Sequence, residues 1–369
     1  MRFVCDKMLL TEAVMNVSRV IPSKSSIPAM EGVRIRAEQG ALILTGYDLE
    51  SGITTTIEAN VQETGEIVLS ARLFSEMIRK MAVDEISISV GEKYLTEVKS
   101  GLTEFTILGS PADEYPELPE IEENAVVTLS QGSLKSMVEQ TIFAVATTDT
   151  KPVHTGALFD MKEKSLTMVC VDGYRLALRN TVLDKGMDSS FVVPGKALSE
   201  IAKLLKDSED EKVEIRVGGR HIVFHIGRYS VISRLLEGDF LDYNASIPKG
   251  STTEVKISRR TLIESVERAS LLISDRLRSP LKVLWEDNNV KMSCSTSLGK
   301  FSDEQSCVIT GPGVEMGFNN KYLLDALKAA DSDEVRIEIS GALSPIKILP
   351  PSGDEYLFLV LPVRLRSEG

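Results

Sequence analysis

The sequence has no run of 18 apolar residues, the length a helix needs to cross a bilayer, and Met1 leads straight into the alternating Arg2-Phe3-Val4-Cys5 instead of a hydrophobic leader. The reading is a chain without a membrane span that works in the cytoplasm. Cysteine is scarce: Cys5, Cys170, Cys294 and Cys307 are scattered and form no CxxC pair, which excludes a zinc ribbon, a dithiol redox motif and a disulfide scaffold. Four buried thiols are expected instead. Of three histidines, His221 and His225 lie four apart in an alternating stretch, about 13 Å along one strand, too far to share a metal ion. Pro194-Gly195-Lys196-Ala197 resembles a phosphate loop only superficially, since Ser190 and Ala197 stand where that motif requires glycine and a hydroxyl residue. No nucleophile and histidine accompany Asp172 and Arg175 in a catalytic arrangement. No catalytic residue, metal or cofactor is therefore expected, and the chain is read as a non-enzyme. An excess of positive charge is lacking too: 42 Lys and Arg against 54 Asp and Glu give a formal charge of −12. That argues against a uniformly basic surface but leaves the local distribution open.

What the sequence does contain is a repeat. The apolar positions Leu10, Ala13, Val14 and Val17 follow the i, i+3, i+4, i+7 spacing of one helix face, and the pattern returns at Leu134, Met137, Val138 and Thr141 and again at Leu262, Ser265, Val266 and Ala269. Pro28, Pro152 and Pro280 keep the same intervals, 152 − 28 = 124 and 280 − 152 = 128, each expected to open a strand after a polar loop. A second helix repeats best, with faces Phe74, Met77, Ile78, Met81, then Leu198, Ile201, Ala202, Leu205, then Leu323, Ala326, Leu327, Ala330. The stretches 85–90, 213–217 and 335–339 alternate with the period of half-buried antiparallel strands. The fold class is thus α+β, three tandem copies of a domain with two helices and antiparallel sheets. The boundaries give domains 1–124, 125–250 and 251–369, each too long for a solenoid repeat.

The second helix also carries basic residues at two equivalent positions in every copy: Arg72, Lys196, Lys321, then Arg79, Lys203, Lys328. Seven residues is nearly two turns, so each pair shares a face. Glu76, Glu200 and Asp325 follow the first position by four, so surface helix pairs are the competing explanation. Further basic residues are Lys24, Lys151, Lys249, Arg259, Arg260, Arg276 and Arg278. If six helices per chain and twelve per head-to-tail pair faced one interior, helices about 10 Å wide would trace a circle about 38 Å across, leaving about 28 Å for a duplex of about 20 Å. Such a lining would attract phosphates diffusely, without reading sequence.

Several segments carry a specific resemblance over essentially the whole chain: Leu44-Thr45-Gly46-Tyr47-Asp48-Leu49-Glu50, Lys151-Pro152-Val153-His154-Thr155-Gly156, Val171-Asp172-Gly173-Tyr174-Arg175-Leu176, Asp242-Tyr243 with Ile247-Pro248, Gly317-Phe318-Asn319 and Leu361-Pro362-Val363-Arg364-Leu365. In these the chain resembles the beta subunit of bacterial DNA polymerase III, the sliding-clamp family. The resemblance implies three DNA-clamp domains, a homodimeric ring with helices inside and strands outside, and sequence-independent, topological binding of duplex DNA. DNA-facing residues would be Lys24, Arg72, Arg79, Lys151, Lys196, Lys203, Lys249, Arg276, Arg278, Lys321 and Lys328. It implies a groove between the second and third domains that docks short linear motifs of the DNA polymerase III alpha subunit, the clamp loader, other DNA polymerases and repair proteins. Carried over position by position, the groove would be lined by His154, Val171, Gly173, Tyr174, Arg175, Leu176, Leu241, Ser246, Asn319, Tyr322, Leu343, Leu359, Leu361, Pro362, Val363 and Arg364. Phe105 of the first domain and Leu271 and Leu272 of the third would form the head-to-tail contact. The chain departs from the family pattern at His154, where Leu or Ile is usual, at Leu241, where proline is common, and in the tail Arg366 to Gly369. The alternative reading is a divergent paralogue or a scaffold that gathers peptides without threading DNA.

Overall fold

A computed structural model of the chain describes residues 1–121, 125–148, 150–273 and 279–365. Seven α-helices lie among them: α1 Lys7–Val17, α2 Ala71–Lys80, α3 Gln131–Thr141, α4 Gly195–Leu204, the single turn α5 Tyr243–Ser246, α6 Arg259–Ser270 and α7 Asn320–Ala329. The expected apolar faces are the buried ones. Leu10, Ala13, Val14 and Val17 on α1, Leu134, Met137, Val138 and Thr141 on α3, and Leu262, Ser265, Val266 and Ala269 on α6 are all nearly inaccessible. On the second helices Phe74, Met77 and Ile78, then Leu198 and Ile201, then Leu323, Ala326 and Leu327 are buried, while Ala202 is half-buried. The last residue of each pattern, Met81, Leu205 and Ala330, is buried just beyond the helix end.

Asp6 caps α1 by accepting from the Leu9 N–H at 2.9 Å, and Ser258 and Asn319 accept from Thr261 and Lys321 at the starts of α6 and α7. The prolines act differently from expectation. Pro28 and Pro152 each open a one-turn 3₁₀-helix, Pro28–Glu31 and Pro152–Thr155, and the strands begin only at Gly32 and Gly156. A fixed φ and a missing N–H suit the first position of a helical turn, where that donor has no partner anyway. Pro280 stands directly before the strand Leu281–Glu286.

The residues form two compact bodies that cut across the second repeat, one of 1–134 with 199–235, the other of 135–198 with 236–369. In the first, an eight-stranded antiparallel sheet joins Tyr229–Arg234 to Ser51–Glu58, and a five-stranded sheet ends at the edge strand Thr103–Leu108. In the second, a nine-stranded sheet joins Arg175–Val182 to Tyr356–Val360, and a four-stranded sheet has Gly299–Ser306 at one edge. Each large sheet thus runs from one repeat into the next. Cys5, Cys170 and Cys294 are buried and Cys307 is half-buried; burial pushes the Cys5 and Cys170 thiols up to about 12, so they are inert at neutral pH.

Candidate functional site

The residues that the resemblance places along a groove all lie in the second body. The strand Ser165–Val171 ends at Asp172, whose Oδ1 accepts the N–H groups of Tyr174 (2.9 Å) and Arg175 (3.1 Å). Gly173 takes φ +90° in this turn, a conformation that costs a residue with a side chain. Arg175 is 8% exposed. Its Nε donates to Asp172 Oδ2 at 3.0 Å and a terminal nitrogen to Asp325 Oδ2 on α7 at 2.5 Å. The guanidinium lies 4.7 Å from the Tyr322 ring centre and 5.4 Å from that of Phe143. Tyr174, 61% exposed, stacks on Tyr322 with centroids 5.8 Å apart.

Beside this wall is an apolar floor. Leu176 pairs with Val171 on one neighbouring strand and Leu359 on the other, and these three are buried in one cluster with Leu158, Val192 and Tyr243. Phe240 and Ile247 pack against the cluster, and the Tyr243 hydroxyl donates to Asp160 at 2.7 Å; burial and that carboxylate push the phenol up to about 12. The final segment closes the side: the Leu361 N–H donates to Tyr174 O at 3.0 Å, and the Val363 N–H to Gly317 O at 2.8 Å. Leu361 and Val363 remain 38% and 43% exposed, so apolar surface stays open to a ligand. Pro362 is half-buried and Arg364 exposed.

At the other end a cavity of about 330 Å³ is lined by Lys151, His154, Glu237, Asp239, Phe240 and Leu241 among others. The His154 ring stands edge-on to Phe240 at 5.5 Å. Burial, helped by the Lys151 charge, lowers its pKa, so it is neutral at pH 7. Ser246 ends α5 half-buried, Asn319 is exposed and occupied as the cap of α7, and Leu343 is 76% exposed in a turn closed by Ser344 N–H to Gly341 O.

Phe143, Phe240, Tyr243, Asp325 and Gly317 also build the site but were not assigned to it from sequence. Asp242-Tyr243 and Gly317-Phe318-Asn319 were visible as motifs. Asp325, however, reads locally as a helix partner of Lys321, whereas its carboxylate bonds Arg175. Of the other two expected helix pairs, Arg72 lies 3.7 Å from Glu76, while Glu200 meets Lys203 at 2.7 Å.

The basic residues Lys24, Arg72, Arg79, Lys151, Lys196, Lys203, Lys249, Lys321 and Lys328 are all exposed. Lys328 pairs with Glu267 at 2.7 Å. Arg276 and Arg278 lie outside the described residues, as does the tail Arg366 to Gly369. Phe105 is 40% exposed on the edge strand Thr103–Leu108, Leu271 is 81% exposed after α6, and Leu272 is half-buried.

A thrice-repeated α+β domain with open apolar surface beside the Asp172 turn and exposed cations on one helix of every repeat defines a binding protein built from tandem copies of one domain. Comparison with known families agrees along the whole chain: the N-terminal, central and C-terminal domains of the DNA polymerase III beta subunit match residues 1–119, 128–242 and 245–364. The beta sliding clamp of Bacillus subtilis is 34% identical over 99% of this chain and 100% of its own. Its crystal structure superposes with TM-score 0.95 at 33% identity, covering 99% of this chain and 100% of that one. A Pseudomonas aeruginosa sliding clamp solved bound to griselimycin superposes with TM-score 0.94 at 27% identity, with the same coverage. The chain belongs to the DNA polymerase III beta subunit family, the beta sliding clamps. Members are processivity factors without enzymatic activity; they bind DNA, and dock the polymerase and other proteins through a peptide groove.

Proposed function

We propose that two copies of this chain close head to tail into a ring around duplex DNA in the cytoplasm, tethering the replicative polymerase and exchanging partners at the groove. The carrying observation is the second helix of each repeat: one face is buried and the opposite face exposes the same basic pair, three times in one chain. The domains are taken as 1–124, 125–250 and 251–369. Arg72, Arg79, Lys196, Lys203, Lys321 and Lys328, with Lys24, Lys151 and Lys249, face the DNA. The edge strands Thr103–Leu108, which carries Phe105, and Gly299–Ser306 support the ring contact, because a strand edge with unpaired backbone groups can pair with another chain unless covered. Phe105, Leu271 and Leu272 lie at that contact.

The partner motif docks on Val171, Leu176, Leu359, Leu361, Pro362 and Val363. The walls are Gly173, Tyr174, Arg175 and Tyr322 with Asn319 and Arg364, and the ends are His154, Leu241, Ser246 and Leu343. Two apolar anchors contributing about 1.5–3 kcal/mol each, less the cost of ordering, suit a micromolar and exchangeable contact.

A non-threading scaffold is the second reading, favoured by the local pairing of Arg72, Lys203 and Lys328 with carboxylates. One experiment separates them. Loaded on a nicked circular plasmid, the ring is retained and then lost when the plasmid is linearised; retention indifferent to linearisation refutes topological binding.

A further inference from the structure

The first repeat carries the frame of the groove in a second place. In the second repeat Leu176 pairs with Val171 on one side and Leu359 on the other; in the first, Gly52 pairs with Tyr47 on one side and Ile232 on the other. The positions correspond, since 171 − 47 = 176 − 52 = 124. The turns between them match as well. Asp48 Oδ1 accepts from the N–H groups of Glu50 (3.0 Å) and Ser51 (2.6 Å), as Asp172 Oδ1 does from Tyr174 and Arg175.

Where Leu176 forms the floor of the open groove, the first repeat has only a glycine, and the resulting gap is filled. A Cβ on Gly52 would stand 2.5 Å from Leu118 Cδ2, 3.0 Å from Ile232 Cγ2 and 3.1 Å from Tyr47 Cδ2. Leu118 comes from the segment that leaves the first repeat. Its neighbours are seated too: Tyr115, 3% exposed, packs with Tyr47, Val68 and Ala29, and the Glu117 carboxylate lies 2.8 Å from Arg34. The Arg34–Glu117 hydrogen bond raises the guanidinium pKa and lowers the carboxyl, so both stay charged.

We propose that this is a second peptide-binding site, selective for an acidic segment with an aromatic residue followed three positions later by leucine, and that residues 115–118 occupy it in cis. Gly52 provides the shape selection, because a Cβ there would stand 2.5 Å from Leu118 Cδ2 and a side chain as large as leucine would take its place; Arg34, which also pairs with Glu66 at 3.2 Å, provides the charge selection. Filled in this way the site is closed to other proteins. Each chain then offers one open groove, for which partners compete.

The test begins with hydrogen exchange on the unaltered full chain. The Tyr115 N–H, which donates to Ala112 O at 3.0 Å, should exchange far more slowly than that of exposed Glu120; equal rates overturn the proposal. The second measurement uses the free octapeptide 112–119 as probe. It should not bind the unaltered chain, should bind one to one when Tyr115→Ala and Leu118→Ala empty the site, and should be lost again when Gly52→Leu is added. A folded double variant that ignores the octapeptide, or binds it equally well with Gly52→Leu present, overturns the proposal. So does binding to the unaltered chain at the same affinity. Should the double variant fail to fold, the exchange rates decide.

Discussion

At Arg175 a guanidinium is taken almost wholly out of water, and its burial is offset by two carboxylates and two aromatic rings drawn from different elements. A residue satisfied so fully inside its own chain shapes the groove by holding Tyr174 and Tyr322 in place, more than by offering free donors to a ligand. Changing Asp325→Asn weakens a charge-assisted bond of about 1.5–3 kcal/mol and should loosen that wall. Peptide affinity measured by fluorescence anisotropy is expected to fall while plasmid retention is unchanged; unaltered affinity would show that Arg175 needs no anchor on α7. Asp303 offers a second test. Burial opposes its ionisation, but donors from Ser265, Arg268 and Gln305 outweigh this and hold its pKa at about 2. A carboxyl with a lowered folded pKa stabilises the native state above its unfolded value, and the contribution is lost as the pH falls towards about 2. Asp303→Asn should cost about 2 kcal/mol in urea unfolding at pH 7, with the difference between variant and native chain shrinking as acid is added. A constant difference across that range would assign the loss to packing.

Among the elements, the final segment is held by few contacts, and one is sensitive to a single methyl group. A Cβ on Gly317 would meet Val363 O at 2.7 Å and Leu365 Cδ2 at 2.8 Å. Gly317→Ala should therefore displace 361–365, overpacking that costs about 1–3 kcal/mol. The expected result is weaker peptide binding and faster carboxypeptidase trimming, with ring mass unchanged. Deleting the chain from Leu361 onward should abolish partner binding and spare the dimer, because the proposed ring contact lies on other edges. Polymerase affinity that survives this truncation would remove the groove from its assigned place.

For the whole molecule, light scattering should give twice the chain mass, and replacing Leu271 and Leu272 with alanine should shift the mass towards that of one chain. A native mass of one chain would leave no ring to thread. DNA binding by the intact protein should be weak, indifferent to sequence and steeply reduced by salt, because it comes from cations releasing counterions. Charge reversal of Arg72 and Arg79 should flatten the salt slope and leave peptide affinity in place, since α2 belongs to the first body and the groove residues to the second.

The sequence by itself determined the repeat, the helices and the chemistry of their two faces, because a helical period of 3.6 is written in neighbouring residues such as Phe74, Met77 and Ile78. The turn at Asp172 was legible as well, from the aspartate and glycine of Asp172-Gly173, whereas a groove there and at the terminal Leu361-Pro362-Val363 was only what the family resemblance implied. Only the tertiary structure decided which strand edge meets which. Tyr356–Val360 of the third repeat joins Arg175–Val182 of the second, and Asp325 reaches an arginine 150 positions away. Local periodicity shows which face of a strand is apolar but not which exposed edge it completes. The same limit hid Leu118, which lies in no strand and whose partner is a gap left by Gly52 in the strand Ser51–Glu58.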